Sequence, residues 1–210
     1  EHWTGFLDIN PYQINRFEKY FILKIARAAS MICPVSHDLQ SALQKFGVER
    51  PFEVIPNVVD TGLFKPDIGE RKEPKKILHV STLNDEHKNV TGILNVINKL
   101  RQKRTDFHLT LAGNKKGDKH SNYIKKLGIP AELITILEEI PLDDIAELMR
   151  RQDIFVLFSN YENLPCVISE AHASGMVVVA TDVGGVAEMI DQHNGFLIKA
   201  KDEAALFEKL

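Results

Sequence analysis

Apolar and polar positions change their period several times along the chain, and each change marks an element. From Ile14 to Ala29, apolar residues at Ile14, Phe17, Phe21, Ile25 and Ala28 recur at helical spacing while Arg16, Lys19, Lys24 and Arg27 fall on other faces, which predicts an amphipathic helix. Met31 to Val35 reads as a short strand, and Ser36 then caps a helix over Asp38 to Phe46 that Gly47 stops. Phe52 to Ile55 is another short strand. The run Pro56 to Pro66 leads into Asp67 to Lys76, which is polar, charged and bounded by prolines, so a domain boundary is expected there.

Beyond that stretch, strands and helices alternate. Strands are expected at Lys76 to Val80, Phe107 to Ala112, Leu133 to Leu137, Ile154 to Phe158, Val177 to Thr181 and Gly195 to Ile198. Helices fall near Asn89 to Lys103, Lys119 to Leu127, Leu142 to Arg150, Cys166 to Ser174 and Val186 to Ile190, and the chain closes at Leu210 in a further helical pattern. Continuous apolar strands between helices imply a parallel sheet covered on both faces, hence an α/β, doubly wound, Rossmann-like domain. No internal repeat or low-complexity segment interrupts it.

Composition narrows the function classes. The 210 residues are 44% hydrophobic and 26% charged, with a net charge of −3, ordinary for a globular protein and without the positive field that a nucleic-acid partner requires. The longest apolar stretches are strand-length, far short of the roughly 20 residues of a membrane span. Two cysteines, Cys33 and Cys166, form neither a disulfide framework nor a zinc spacing, which favours a reducing, cytoplasmic compartment. The chain opens at Glu1-His2-Trp3 without an initiator methionine, and a piece of a longer protein is expected.

Ligands of an open parallel sheet bind beyond the carboxyl ends of its strands, and four such loops carry suitable groups. In Ser81 to Asn89, small polar residues precede Lys88 at the start of a helix, an arrangement suited to an anion; a solvated lysine is the alternative. Gly113 to Asp118 offers glycines for close backbone approach together with Lys115 and Lys116, or an ordinary turn. Neither a Walker loop nor a G-x-G-x-x-G run is present. The third loop holds Glu162 to Pro165 before a helix expected over Pro165 to Ser174, so the Asn163 and Leu164 amides lie near its positive end, and Glu170 sits roughly 8 Å along the axis. There it can accept from a diol such as a ribose, although a surface carboxylate is the plainer reading. The fourth loop, Thr181 to Glu188, is glycine-rich before a helix and could form a second cradle of amides.

Other residues have plainer readings. His37, His79, His87, His108, His120, His172 and His193 show no metal-ligand spacing and are expected to pack or face solvent. Cys166, at a helix start but without a nucleophile motif, reads as a packing residue. The basic helix from Ile14 to Ala29 serves core or interdomain packing, with peripheral contact to an anionic membrane as the alternative.

Together these segments resemble the retaining, nucleotide-sugar-dependent glycosyltransferases of the GT-B fold (glycosyl transferases group 1). The most specific part is the E-x(7)-E signature, Glu162-Asn163-Leu164-Pro165 through Ser169-Glu170-Ala171, followed by Ala173 to Thr181 and Gly184-Gly185. Val35-Ser36, Val54 to Asp60 and Phe64-Lys65-Pro66 resemble the family's passage between its two domains. The resemblance implies that residues 1–66 are the tail of an amino-terminal acceptor-side domain with its linker. Residues 67–210 would be the donor-binding domain, truncated at its end. It implies transfer of a sugar, with retention, from a nucleotide diphosphate sugar to a glycan or lipid-linked acceptor, at the inner face of a membrane or in the cytoplasm, without a metal or cofactor. Glu162, Lys88 and His2 would be the catalytic set: Glu162 on sugar hydroxyls, Lys88 on the diphosphate and His2 near the donor sugar. Glu170 would hold the ribose, the Asn163 and Leu164 amides the sugar or diphosphate, and the backbone near Ile140 the base, with Pro165, Ser81, Thr82 and Gly113 completing the binding set. Two positions depart from the family pattern. Ser81-Thr82 stands where a glycine-arginine pair is usual, leaving Lys115 or Lys116 to compensate, and Glu138 stands near a usual glycine. A nucleotide-sugar epimerase of the same fold and a non-catalytic nucleotide-binding module are the competing readings. A glycogen phosphorylase-like protein lacks support, since no lysine context for pyridoxal phosphate is evident. The fragment alone is expected to bind donor without transferring sugar.

Overall fold

The computed structural model describes residues 4–6, 14–67, 69, 75–113 and 119–210. Six parallel strands form one sheet: β1 (Lys75–Ser81), β2 (Phe107–Gly113), β3 (Ile134–Glu138), β4 (Ile154–Leu157), β5 (Val177–Thr181) and β6 (Gly195–Ile198). Their order is β3-β2-β1-β4-β5-β6, so the direction of winding reverses between β1 and β4. The expected doubly wound α/β architecture is therefore the observed one.

Alternate residues of the central strands serve opposite faces. Ile77, Leu109, Leu111, Val156 and Val179 enter one core with helices α4 (Val90–Leu100), α5 (Lys119–Leu127) and α8 (Glu203–Lys209). Leu78, Ala112, Phe155, Leu157, Val178 and Ala180 enter the other with α6 (Leu142–Arg150) and α7 (Cys166–Ala173). Burial on both faces is why these strands read as unbroken apolar runs.

The amino-terminal segment contributes α1 (Arg16–Ala28) and α2 (His37–Phe46), packed as a third cluster that includes Val35, Leu39, Leu43, Val48 and, from the loop before α7, Leu164. Leu164 thus joins this segment to the parallel-sheet unit. The two short strands expected here reduce to a single parallel bridge between Ile32 and Phe52, since Pro34 and Pro51 lack the amides a longer ladder needs. In α1 the expected apolar stripe faces outward: Phe17 is 77% exposed and Ile25 72%. Leu23 and Ala26, on another face, make the inward contacts.

Other boundaries differ as well. The helix expected from Asn89 begins at Val90 as α4, and a separate short helix, α3 (Asp85–Lys88), precedes it within the expected loop; Asn89, at a left-handed φ of +48°, closes α3 and caps α4. The helix expected at Val186 to Ile190 is a 3-10 turn over Gly184–Glu188, whose first two glycines pay for no regular helix. Phe158 lies beyond the end of β4. The expected linker is only partly described: residues 68 and 70–74 lie outside the described residues, as do His2, Lys115 and Lys116.

Candidate functional site

β1 and β4 align at only two positions, Ile77 with Ile154 and Leu78 with Phe155, whereas β1 and β2 align at seven. Beyond Leu78 the strands part, and this is the crevice of the switch point. His79 closes its floor. The ring is fully buried, with Nδ1 2.8 Å from the Val156 carbonyl and Nε2 2.7 Å from Ser81 Oγ. Burial, aided by the Lys88 charge, lowers its pKa to about 4 despite the carbonyl bond and Glu162, which act the other way.

Above this floor, α3 meets the loop after β4. Asn84 Oδ1 accepts from the His87 amide and starts α3, which presents His87 and Lys88. Asn160 binds them back, its amide donating to the His87 carbonyl at 2.8 Å and its Nδ2 to the Glu86 carbonyl at 2.8 Å. The two loops are thus fixed to each other, and Glu162 lies between them at 5% exposure. Lys88 Nζ donates to Glu162 Oε1 at 2.5 Å, Ser159 Oγ donates to the same oxygen at 2.6 Å, and His87 Nε2 stands 3.6 Å from Oε2. The His87 ring stacks on Tyr161, with centroids 4.3 Å apart and planes 4° from parallel. Burial alone would raise the Glu162 pKa, but the His87 contact, the Lys88 charge and the Ser159 hydroxyl hold it below its ordinary value. Glu162 is an anion built into the site.

Glu170 has the opposite environment. It is half-buried on α7, burial raises its pKa, and no donor among the described residues is paired with its carboxylate. The Asn163 and Leu164 amides, just before α7, are likewise without acceptors among the described residues. A buried ionised carboxylate with its cation, an unpaired carboxylate and free amides at a helix start form a set able to take a ligand with hydroxyls and negative charge.

Thr82 is exposed and Ser81 half-exposed at the end of β1. Gly113 ends β2 with φ +155°, where an added Cβ would stand 1.7 Å from the Ser81 carbonyl oxygen, so the two strand ends are pressed together. Ile140 is half-buried against the core beneath α6, and Pro165 caps α7. Corrections are needed at two residues. Cys166, expected to pack, is exposed, and its thiol is held above the ordinary range by partial desolvation and then by Glu170. His87, expected to be a plain surface or packing residue, faces Glu162. Sequence reasoning also missed Ser159, Tyr161 and His79, which no local motif marks.

A second contact ties the amino-terminal segment to this site. The Glu188 carboxylate accepts from the His37 and Asp38 amides, both at 2.9 Å, at the start of α2, and Ser36 Oγ donates to Asn163 Oδ1 at 3.2 Å. A cavity of 600 Å³ lies alongside, lined by residues such as Asn57, Leu164, His172 and Glu188. Among the described residues no three His, Cys, Asp or Glu side chains gather to hold a metal ion, and no helix is long and apolar enough to cross a membrane.

The buried state of His79 predicts acid sensitivity. Its folded pKa of about 4 lies below its unfolded 6.5, so the unfolded chain binds the extra proton first. The neutral ring's stability is complete above pH 6.5 and is lost as pH falls toward 4, by about 3 kcal/mol in all. Urea midpoints at pH 7 and pH 4.5 should show this fall, and His79→Gln should flatten it; an equal slope in both chains would refute the assignment.

The family model described as Glycosyl transferases group 1 matches residues 60–210. A D-inositol 3-phosphate glycosyltransferase of Pseudarthrobacter chlorophenolicus is 36% identical over 120 residues, covering 53% of this chain and 28% of that protein. Sucrose-phosphate synthase from Thermosynechococcus elongatus shares the fold at a TM-score of 0.83 and 18% identity, over 99% of this chain and 56% of that one. Anabaena Alr3699/HepE, solved in complex with UDP-glucose, gives a TM-score of 0.76 at 22% identity, over 95% and 59%. The chain spans less than two thirds of the length of each.

Proposed function

Because the chain belongs to the glycosyl transferases group 1 family, we propose that it is the donor-binding part of a retaining hexosyltransferase that moves a sugar from a nucleotide diphosphate sugar to a glycan or lipid-linked acceptor. The observation that carries this reading is the buried Glu162–Lys88 pair at the switch-point crevice, beside the Asn163 and Leu164 amides and the Glu170 carboxylate, which have no partner among the described residues. Glu170 accepts from the ribose hydroxyls and Glu162 from hydroxyls of the transferred sugar. The departing diphosphate gains negative charge as its bond to the sugar breaks, and Lys88, already fixed by Glu162, with the Asn163 and Leu164 amides, meets that charge without reorganising. The backbone near Ile140 takes the base, and Pro165, Ser81, Thr82 and Gly113 shape the walls. The activity needs the longer protein, with His2 and the acceptor side supplied by its amino-terminal part.

A non-catalytic nucleotide-binding module is the second reading, favoured by the uncharged, exposed Thr82 where an arginine would add a phosphate cation. Turnover separates the two: donor hydrolysis or transfer by the longer protein supports the enzyme, and binding without turnover supports the module.

Binding itself is tested by thermal unfolding with UDP, GDP and ADP. A nucleotide at about 100 times its Kd should add about 2.7 kcal/mol, a rise of roughly 5 to 10 °C. Glu170→Gln should abolish the rise yet leave the free chain slightly more stable near neutral pH, because a carboxyl with a raised folded pKa penalises folding once pH exceeds its unfolded value. Nucleotide affinity should weaken as acid protonates Glu170. A full thermal shift retained by Glu170→Gln would remove it from the site.

A further inference from the structure

The hydrogen-bond chain at the crevice floor fixes more than the position of His79. A carbonyl oxygen has no proton to give, so the 2.8 Å contact with Val156 places the ring proton on Nδ1. A fully buried neutral imidazole then has only an acceptor at Nε2, and the Ser81 hydroxyl 2.7 Å away must donate to it. The same oxygen accepts from the Leu83 amide at 2.9 Å, a bond that holds Leu83 at a left-handed φ of +54° with its side chain buried. Gly113 presses on the Ser81 carbonyl from the other side, so the residue has no room to shift. With its single proton committed, Ser81 Oγ has one lone pair left. It can receive a hydroxyl but cannot donate to a phosphate oxygen.

We propose that Ser81 is a specificity residue, locked by His79 as an acceptor, that receives a hydroxyl of the transferred sugar and takes no part in holding the diphosphate. The inference rests on the donor-site reading above and divides labour within it: Lys88 and the free amides meet negative charge, while Ser81 reads the sugar. A nucleoside diphosphate without its sugar therefore makes no use of Ser81.

Isothermal titration of the full chain tests this, with three matched pairs as probes: UDP and UDP-glucose, ADP and ADP-glucose, GDP and GDP-mannose. For the pair that binds, Ser81→Ala should weaken the sugar conjugate about three- to tenfold, the loss of one hydrogen bond, and leave the bare diphosphate within about twofold. Ser81→Thr, which keeps the hydroxyl, should restore the conjugate. Equal weakening of both ligands would mean that Ser81 serves the nucleotide or phosphate, and no change in either would mean no contact; both outcomes overturn the proposal. If the unaltered chain binds none of the six, the donor-site reading itself falls and this inference falls with it. A second measurement needs no variant: ring ¹⁵N shifts of His79 at pH 7 should show a protonated Nδ1 and a bare Nε2. The reverse pattern would free the Ser81 proton and overturn the acceptor assignment.

Discussion

Replacing Lys88 with alanine is expected to cost about 3 to 5 kcal/mol of stability, which at 210 residues is a fall of roughly 6 to 20 °C in Tm. The effect is large because the partner stays behind. Glu162 is 5% exposed, and without the ammonium its charge is left with the Ser159 hydroxyl and the His87 ring. An uncompensated buried carboxylate takes up a proton instead, so its pKa should move from below its ordinary 4.5 to above it. The sign follows: in the variant, folding is penalised as pH rises past 4.5, so the deficit should be small at pH 4.5 and full at pH 7.5. Calorimetric melts at those two pH values check this, together with Lys88→Ala combined with Glu162→Gln. The double variant should recover most of the loss, since a neutral amide can be buried with its hydrogen bonds. A Tm for Lys88→Ala within a degree or two of the parent at pH 7.5 would show that the pair is an exposed bridge of little worth.

Gly184→Ala should be nearly as damaging, at about 2 to 5 kcal/mol, because two costs combine there. Gly184 sits at φ +56°, and an added Cβ would stand 2.0 Å from the Glu162 carbonyl oxygen. The side chain therefore pays the left-handed penalty and also pushes the loop that carries Glu162 and Asn163. Gly128 is a matched control: its φ is +63°, but the nearest atom to an added Cβ is the end of Arg101 at 4.0 Å. Gly128→Ala should lose only the conformational part, about 1 to 2 kcal/mol. Equal losses in the two variants would mean that the loop gives way freely. A larger loss for Gly184→Ala accompanied by weaker nucleotide binding would tie the fourth loop to the site.

The parallel sheet was legible because its strands are buried on both faces; Val177 to Thr181 and Gly195 to Ile198 are bounded as read, and β1 and β3 differ by a residue at each end. Helix ends were less legible, since Asn89 in a left-handed conformation closes a short helix, α3, that stands in what read as a loop. Periodicity also misled at α1, where two apolar faces exist and the one with aromatic residues points outward. Within the site, the carboxylates of Glu162 and Glu170 were visible from their setting in a loop and the next helix. The opposite shifts of their pKa values were not, because that of Glu162 depends on His87 and Lys88, 75 and 74 residues away in the chain, and that of Glu170 on burial in the folded protein. His79 was hidden for the same reason: its meaning lies in the Val156 carbonyl across a gap between strands.

The seat of Glu188 on the His37 and Asp38 amides, with Ser36 on Asn163, bears on how such chains can be recombined. A chimaera joined between residues 60 and 75 would pair a new amino-terminal segment with an old glycine-rich turn. Its success depends on whether position 188 still offers a carboxylate to the incoming helix and position 163 still offers an oxygen to the residue at 36. Segments that match at these positions can be exchanged as a module, whereas a mismatch strands two helix amides and strips a support from the loop beside Glu162. The unit of inheritance at this junction is thus a set of contacts rather than a stretch of sequence.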